Sequence, residues 1–175
     1  EPGTGVKNTR DRLQGLWGAT MAEFYGCTEA SPHCGGYSCP ASEAADGTIS
    51  THLMEDIQIW ELVDPETNEI VKEGERGLTV CTNLNSESSP QLRFLVGDYT
   101  TFNKERCDCG RTHVRAVGSF SGRADDLINL RGIKMYPVQI EEAVRSVPGI
   151  GDEYEVVLST NTEGLDIMSV RVEHE

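Results

Sequence analysis

Gly122-Arg123-Ala124-Asp125-Asp126-Leu127-Ile128, continued by Arg131-Gly132 and by Tyr136-Pro137-Val138-Gln139-Ile140-Glu141-Glu142, decides how the chain is read. Residues 122–126 are a polar break, and residues 127–130 are a short strand candidate. Pro137 fits the first position of a helix, where its missing N–H would be unpaired in any case. Val138, Ile140, Ala143, Val144 and Val147 then give an apolar face at helical spacing. Glu141 and Glu142 load the end of the helix that favours anions, and Pro148-Gly149 stops it. Residues 155–159 and 165–172 read as two strands. This is the β-α-β-β pattern of an α+β domain, and the texture of the chain changes near residue 122.

Upstream the pattern is different. Asn8 or Thr9 can cap a helix over 8–16, and an extended piece covers 20–24. A loop rich in Gly, Ser, Pro and Cys runs from Tyr25 to about Thr51. Residues 55–63 alternate apolar and polar, which predicts a half-buried strand. Asp64-Pro65-Glu66-Thr67-Asn68 is a turn signal. Residues 77–82 and 91–96 predict further strands, and 102–113 predict a polar, cysteine-bearing hairpin or loop.

Composition removes several function classes. The 175 residues hold 29 Asp+Glu against 15 Lys+Arg, a formal net charge of −14. Nucleic-acid binding by phosphate neutralisation needs a basic face, and a polybasic membrane anchor needs the same. Hydrophobic residues make up 37%, enough for a packed core. No apolar run approaches the roughly 18 residues of a membrane span. No basic head with an apolar stretch opens the chain. The six cysteines are unevenly spaced, and a disulfide within Cys107-Asp108-Cys109 would be strained. Reduced thiols or a metal site in a cytoplasmic protein are therefore expected.

Two more constellations carry chemistry. In Tyr25-Gly26-Cys27-Thr28-Glu29, Tyr25 offers a flat face to a base and Gly26 allows close backbone approach. Thr28 offers a hydroxyl to phosphate, and Glu29 a hard oxygen to Mg²⁺. Alone, this pentapeptide fits an ordinary surface turn equally well. In Arg93-Phe94-Leu95-Val96-Gly97-Asp98, an Asp after a Gly at a strand end can accept both hydroxyls of a ribose diol, or simply cap a turn.

Taken together and in order, these three stretches resemble the adenylate-forming superfamily, and most closely its phenylacetate–CoA ligase family. Glu1-Pro2-Gly3, Thr51-His52-Leu53-Met54-Glu55-Asp56, Cys107-Asp108-Cys109-Gly110-Arg111-Thr112-His113 and Arg131-Gly132-Ile133-Lys134-Met135-Tyr136-Pro137 resemble further stretches of that family. The resemblance implies an α+β and α/β fold. Residues 1–121 would be the end of the large N-terminal domain, with a β-rich subdomain. Residues 122–175 would be the hinge and the start of the mobile α+β C-terminal domain. It implies an enzyme that joins a carboxylic acid to AMP from Mg·ATP and then transfers the acyl group to coenzyme A.

The resemblance also implies roles. Tyr25 stacks on adenine, Glu1 and Pro2 lie on the adenine side, and Gly26 belongs to the same nucleotide segment. Thr28 contacts phosphate and Glu29 holds Mg²⁺, the two residues nearest the chemistry. Asp98 takes the ribose, Arg123 lies near ribose and phosphate, and Asp125 is the hinge. Leu95, Val96 and Lys134 depart from the family's usual residues, and Cys27 fills a variable position. Neither the family's Ser/Thr/Gly-rich phosphate loop nor its Gly-x-x-Lys region is present in the 175 residues, so these alone are expected not to adenylate at a useful rate.

Cys107 and Cys109 on one tight turn suit a zinc knuckle, and a structural zinc takes four Cys or His ligands. His52 and Cys39 could complete the set, as in matching members of the family, with Cys34 in place of Cys39 as the alternative. Cys81 lies in a strand pattern and is expected in the core. The expected substrate is an aryl or arylalkyl carboxylic acid, and the expected assembly a homodimer in the cytoplasm, with no nucleic acid or membrane partner. Two rivals remain at this point. The acyl group could pass to an amine or a carrier-protein thiol, or the chain could be a non-catalytic zinc-stabilised binding module.

Overall fold

The computed structural model describes residues 7–29, 35–44, 47–120 and 122–174. Glu1, Pro2 and Cys34 lie outside the described residues. The chain forms two compact units, Glu1–Ala124 and Asp125–Glu175.

The first unit opens with α1, Lys7–Trp17. Gly18 ends it at φ +61°, donating its N–H to the Gln14 carbonyl at 2.9 Å. Arg10 fastens the helix from its buried side. Its guanidinium donates to the Gly47 carbonyl at 2.5 Å and to Glu43 at 3.3 Å.

The rest of the unit is an antiparallel sheet, seven-stranded among the described residues. Its strands are β1 (Phe24–Tyr25), β2 (Gly36–Ser38), β3 (Ser50–Leu53), β4 (Gln58–Val63), β5 (Arg76–Asn83), β6 (Phe94–Asn103) and β7 (Arg115–Val117). They lie in the order β1-β2-β3-β7-β6-β5-β4. The loop expected from Tyr25 to about Thr51 thus contains β2 and the start of β3. β2 can approach β3 only because residue 36 is glycine: a Cβ there would stand 2.5 Å from the His52 carbonyl oxygen. β6 runs longer than expected, and β7 follows the polar connection.

The core lies along β3 to β6. Leu53, Leu62, Val63, Leu78, Val80, Cys81, Val96 and Ala116 are all buried. In β4 the burial does not follow polarity. Gln58 is 1% exposed and Ile59 is 49% exposed, so the buried face of that end of the strand is the one carrying Gln58, Trp60 and Leu62. The turn after β4 is built by Asp64, whose Oδ1 accepts the N–H groups of Glu66 and Thr67, each at 2.9 Å. Those two N–H groups hold its carboxyl below the ordinary value.

The second unit starts with the hairpin of β8 (Ile128–Leu130) and β9 (Ile133–Met135). Arg131 at φ +52° and Gly132 at φ +86° form its two-residue turn, the left-handed pair that matches strand twist. Helix α2, Pro137–Arg145, begins at Pro137 as the sequence predicts. The Gln139 side chain accepts the Tyr136 N–H at 2.9 Å, and Ile140 and Val144 are buried. Strands β10 (Ile150–Thr160) and β11 (Asp166–His174) close the unit as an antiparallel pair.

Leu53 is fully buried on β3. Leu53→Ala is expected to cost about 2–5 kcal/mol of stability. Ile59→Ala is expected to cost no more than about 0.5 kcal/mol, the usual range for a surface position. Urea unfolding of the two variants checks both.

Candidate functional site

Two groups of side chains stand out, both on the first unit. The first is built on a bulge in β6. Leu78 pairs with Tyr99 and Val80 with Leu95, so Val96, Gly97 and Asp98 face Thr79 alone. Gly97 takes φ +90°, a conformation glycine adopts without strain. A bulge bends its strand and re-aims the side chains beside it. The Thr79 hydroxyl fixes this one by donating to the Asp98 carbonyl at 3.0 Å.

Residues 122–124 run alongside the bulge. The Tyr99 N–H donates to the Gly122 carbonyl at 2.9 Å, and the Ala124 N–H to the Gly97 carbonyl at 2.8 Å. Asp98 and Arg123 are therefore opposite one another, with Arg123 Nη1 3.8 Å from Asp98 Oδ1. From the far side the Tyr25 hydroxyl donates to Asp98 Oδ2 at 2.7 Å. Three stretches separated by tens of residues thus meet at one carboxylate, whose side chain is 14% exposed. Burial, and then the Asp98 charge, push the Tyr25 phenol far above its ordinary value, so it stays protonated and donates.

Tyr25 also carries a contact that the sequence did not announce. The Phe120 ring stacks on it with centroids 3.3 Å apart and planes at 11°. Trp60 is tilted against it at 55° with centroids 6.0 Å apart. The signal for Phe120 was faint: one aromatic, three residues before Arg123, in a run of Gly and Ser. Gly26 follows β1 directly, and Thr28 and Glu29 are exposed on the turn beyond it. Among the described residues, no hydrogen bond or ion pair links Thr28 or Glu29 to Tyr25, Asp98 or Arg123. Asp125 is the first residue of the second unit.

The second group gathers Cys39, His52, Cys107 and Cys109, with one ligand atom of each within 4.8 Å of all the others. Cys39 stands just before a short 3₁₀ turn, Pro40–Ser42. His52 lies on β3, between Tyr37 of β2 and Arg115 of β7. Cys107 and Cys109 sit on a turn closed by the Gly110 N–H donating to the Cys107 carbonyl at 2.8 Å, with Gly110 at φ +91°. A tetrahedral zinc with Zn–S about 2.3 Å and Zn–N about 2.05 Å has S···S edges of about 3.8 Å and S···N edges of about 3.6 Å. Cys39 Sγ lies 3.9 Å from Cys107 Sγ and 3.4 Å from His52 Nε2, and Cys109 Sγ lies 3.5 Å from the same nitrogen. The donor set and its edges fit that ion.

The local electrostatics also suit metal ligation. Burial pushes the His52 imidazole below its ordinary value, which keeps it neutral. The Arg111 backbone N–H, then the Arg111 guanidinium, push the Cys109 thiol down to about 7, whereas burial pushes Cys39 up. The Arg111 guanidinium reaches Cys109 Sγ at 3.4 Å and lies over the Tyr37 ring. Cys81 is fully buried in the sheet, and burial pushes its thiol up to about 12.

Tyr25→Phe keeps the ring and deletes the donor to Asp98. It is expected to cost about 1–3 kcal/mol, the penalty for leaving a buried polar group short of a partner. The shift of the urea midpoint measures it.

The chain resembles known proteins over nearly its whole length. Residues 132–175 match the family model described as the AMP-binding enzyme C-terminal domain. A phenylacetate–coenzyme A ligase of Thermus thermophilus is 39% identical over 134 residues, 76% of this chain and 29% of that protein. One of Escherichia coli is 30% identical over 165 residues, 94% of this chain and 35% of that protein. The structure of 2-hydroxyisobutyryl-CoA ligase in the postadenylation state superposes with a TM-score of 0.86 at 32% identity, covering 99% of this chain and 35% of that one. The chain thus spans about a third of the length of these relatives. Over that span it is a homologue of the phenylacetate–coenzyme A ligases, with the fold of the corresponding part of an adenylate-forming CoA ligase.

Proposed function

We propose that these residues form the nucleotide-binding and hinge part of an ATP-dependent ligase for aryl or arylalkyl carboxylic acids. A carboxylate oxygen attacks the α-phosphorus of ATP, the bond to pyrophosphate breaks, and acyl-AMP forms. The thiol of coenzyme A then attacks the acyl carbon and AMP leaves. The observation that carries this reading is the convergence of Tyr25, Asp98 and Arg123. A carboxylate has about four lone-pair sites. Tyr25 and Arg123 approach one oxygen each, and a carboxylate held in this way is the kind of acceptor that a ribose diol binds.

The remaining roles follow from the resemblance. Tyr25 presents its ring to the base, and the resemblance assigns Glu1 and Pro2, which lie outside the described residues, to the adenine side. Arg123 balances negative charge near the ribose and phosphate. Thr28 contacts phosphate. Glu29 would hold Mg²⁺, which neutralises charge on the phosphates; one or two carboxylates plus substrate phosphates commonly suffice for that ion. Asp125, at the division between the units, serves as the hinge.

Cys39, His52, Cys107 and Cys109 would hold zinc. Four protein ligands leave no open position, so its chemistry is structural: it would cross-link β3 to the connection between β6 and β7. The cluster requires reduced thiols, which supports a cytoplasmic location. The net charge of −14 supports a small-molecule ligand over a nucleic acid, and among the described residues no helix is long and apolar enough to cross a membrane. We carry a homodimer as part of the proposal on the family resemblance.

A non-catalytic zinc module would account for the four ligands but gives no reason for a tyrosine and an arginine on one half-buried aspartate. The substrate class rests on the relatives called phenylacetate–coenzyme A ligases. Transfer to an amine or to a carrier-protein thiol is separated from this reading by the dependence of product formation on coenzyme A.

Two measurements test the proposal. AMP binding by calorimetry is expected to weaken at least about tenfold in Asp98→Ala, because a charged hydrogen-bonding partner is lost; an unchanged affinity would sink the nucleotide assignment. Metal analysis after purification in reductant is expected to give one zinc per chain, with most of it lost in His52→Ala or Cys109→Ser. A metal-free protein of unchanged stability would sink the zinc assignment.

A further inference from the structure

We propose that Arg111 is a positioning residue of the zinc site: its guanidinium compensates the Cys109 thiolate, seats on the Tyr37 ring, and so retains the one ligand that is not buried. This rests on the assignment of Cys39, His52, Cys107 and Cys109 to zinc.

The donor set creates a need for a cation. Three thiolates and a neutral imidazole around Zn²⁺ leave one unit of negative charge over. Cys39, His52 and Cys107 are buried, and Cys109 is half-buried. A charge held out of water is costly unless it is paired and hydrogen-bonded. Arg111 meets it at the ligand nearest to solvent, with Nη1 3.4 Å from Cys109 Sγ. A guanidinium is charged at every accessible pH, so this compensation does not switch off. Other basic side chains of the same stretch have other partners. Arg115 Nη2 donates to the Glu105 carbonyl at 3.3 Å, and His113 Nε2 lies 3.1 Å from Asp56.

The guanidinium is also seated. Its carbon lies over the Tyr37 ring, 5.1 Å from the centroid, within the roughly 6 Å range of a cation–π contact. Tyr37 stands opposite His52 across β2 and β3, with ring centroids 6.5 Å apart. Cys109, Arg111, Tyr37 and His52 thus form a chain of contacts that ties two ligands together from outside the site. A planar fork can lie on a ring and donate from its edge at the same time, which an ammonium cannot do.

The backbone of residue 111 serves the knuckle separately: its carbonyl accepts the Cys107 N–H at 3.3 Å. That bond survives a change of side chain, and the Arg111 side chain is exposed. Substitution here therefore removes the charge and leaves the turn. Without the guanidinium the Cys109 sulfur bears more of the excess charge, is more open to attack by a proton, and becomes the first ligand to leave.

Zinc transfer from the full chain to a chromogenic chelator at neutral pH tests this, together with the spectrum of the cobalt-loaded protein. Arg111→Met is expected to release zinc about tenfold faster than the wild type, the low end of the range for outer-shell partners of a metal site. Arg111→Lys, which keeps the charge without the fork, is expected to fall between the two. Tyr37→Leu, which removes the seat, is expected to release zinc faster by a smaller factor. In Arg111→Met the sulfur-to-cobalt charge-transfer band is expected at longer wavelength, because the thiolate gives up its electron more readily. A faster release with an unmoved band would make Arg111 a mere cover, and an unchanged release rate would make it a bystander; either overturns the proposal. A wild type that takes up neither zinc nor cobalt would sink the metal assignment, and the role of Arg111 with it.

Discussion

The first unit turns on a carboxylate placed on the apolar face of a sheet. Asp98 follows Val96 by two residues, and Val96 packs with Cys81 against Tyr25, Cys27, Trp60 and Phe94. An unpaired charge in such surroundings is costly. The bulge at Gly97 resolves this by presenting the backbone to residues 122–124 and the side chain to Tyr25. Without the bulge, β6 would pair with β5 in register, and neither Arg123 nor the Thr79 hydroxyl would have its partner. One local irregularity therefore sets both the edge of the core and the position of the only chemistry-bearing carboxylate that the strands bring to Tyr25 among the described residues.

The same sheet connects the two groups of functional side chains. β7 lies between β3, which carries His52, and β6, which carries Asp98. It is three residues long. Such a strand has few ladder bonds of its own, so its position depends on what precedes and follows it. The Cys107–Cys109 turn precedes it, fastened to Cys39 and His52. Ser119 follows it, fastened to Thr51 and Thr100. A strand clamped at both ends can carry Phe120 and Arg123 to fixed places even though the strand itself is weak.

Much of this was legible in the sequence because it is local. The start of α2 at Pro137 and the motifs containing Tyr25, Asp98 and Arg123 depend on residues within a few positions of each other. Four thiol and imidazole groups suggested one metal site, although sequence spacing left Cys34 and Cys39 as alternatives. What escaped is long-range. Gln58 is buried and Ile59 exposed because tertiary packing chose the face of β4 that carries Trp60 and Leu62, against the polarity of one residue. β7 escaped because Arg115-Ala116-Val117 is too short to show a period. The bond between Tyr25 and Asp98 spans 73 positions, and no spacing rule reaches that far. Phe120 escaped for the same reason: its partner is set by the path of the chain after β7.

That path also decides how the site is held from the C-terminal side of β7. Phe120 and Arg123 both reach the Tyr25–Asp98 pair from that side. Tyr25 and Asp98 are held by the sheet itself. The backbone of residues 122 and 124 is paired to β6, through Tyr99 and Gly97. Ser119 has two anchors of its own, on Thr51 and Thr100. Each attachment is to the sheet, so the ring and the arginine are placed by the same strands that hold the carboxylate on its bulge.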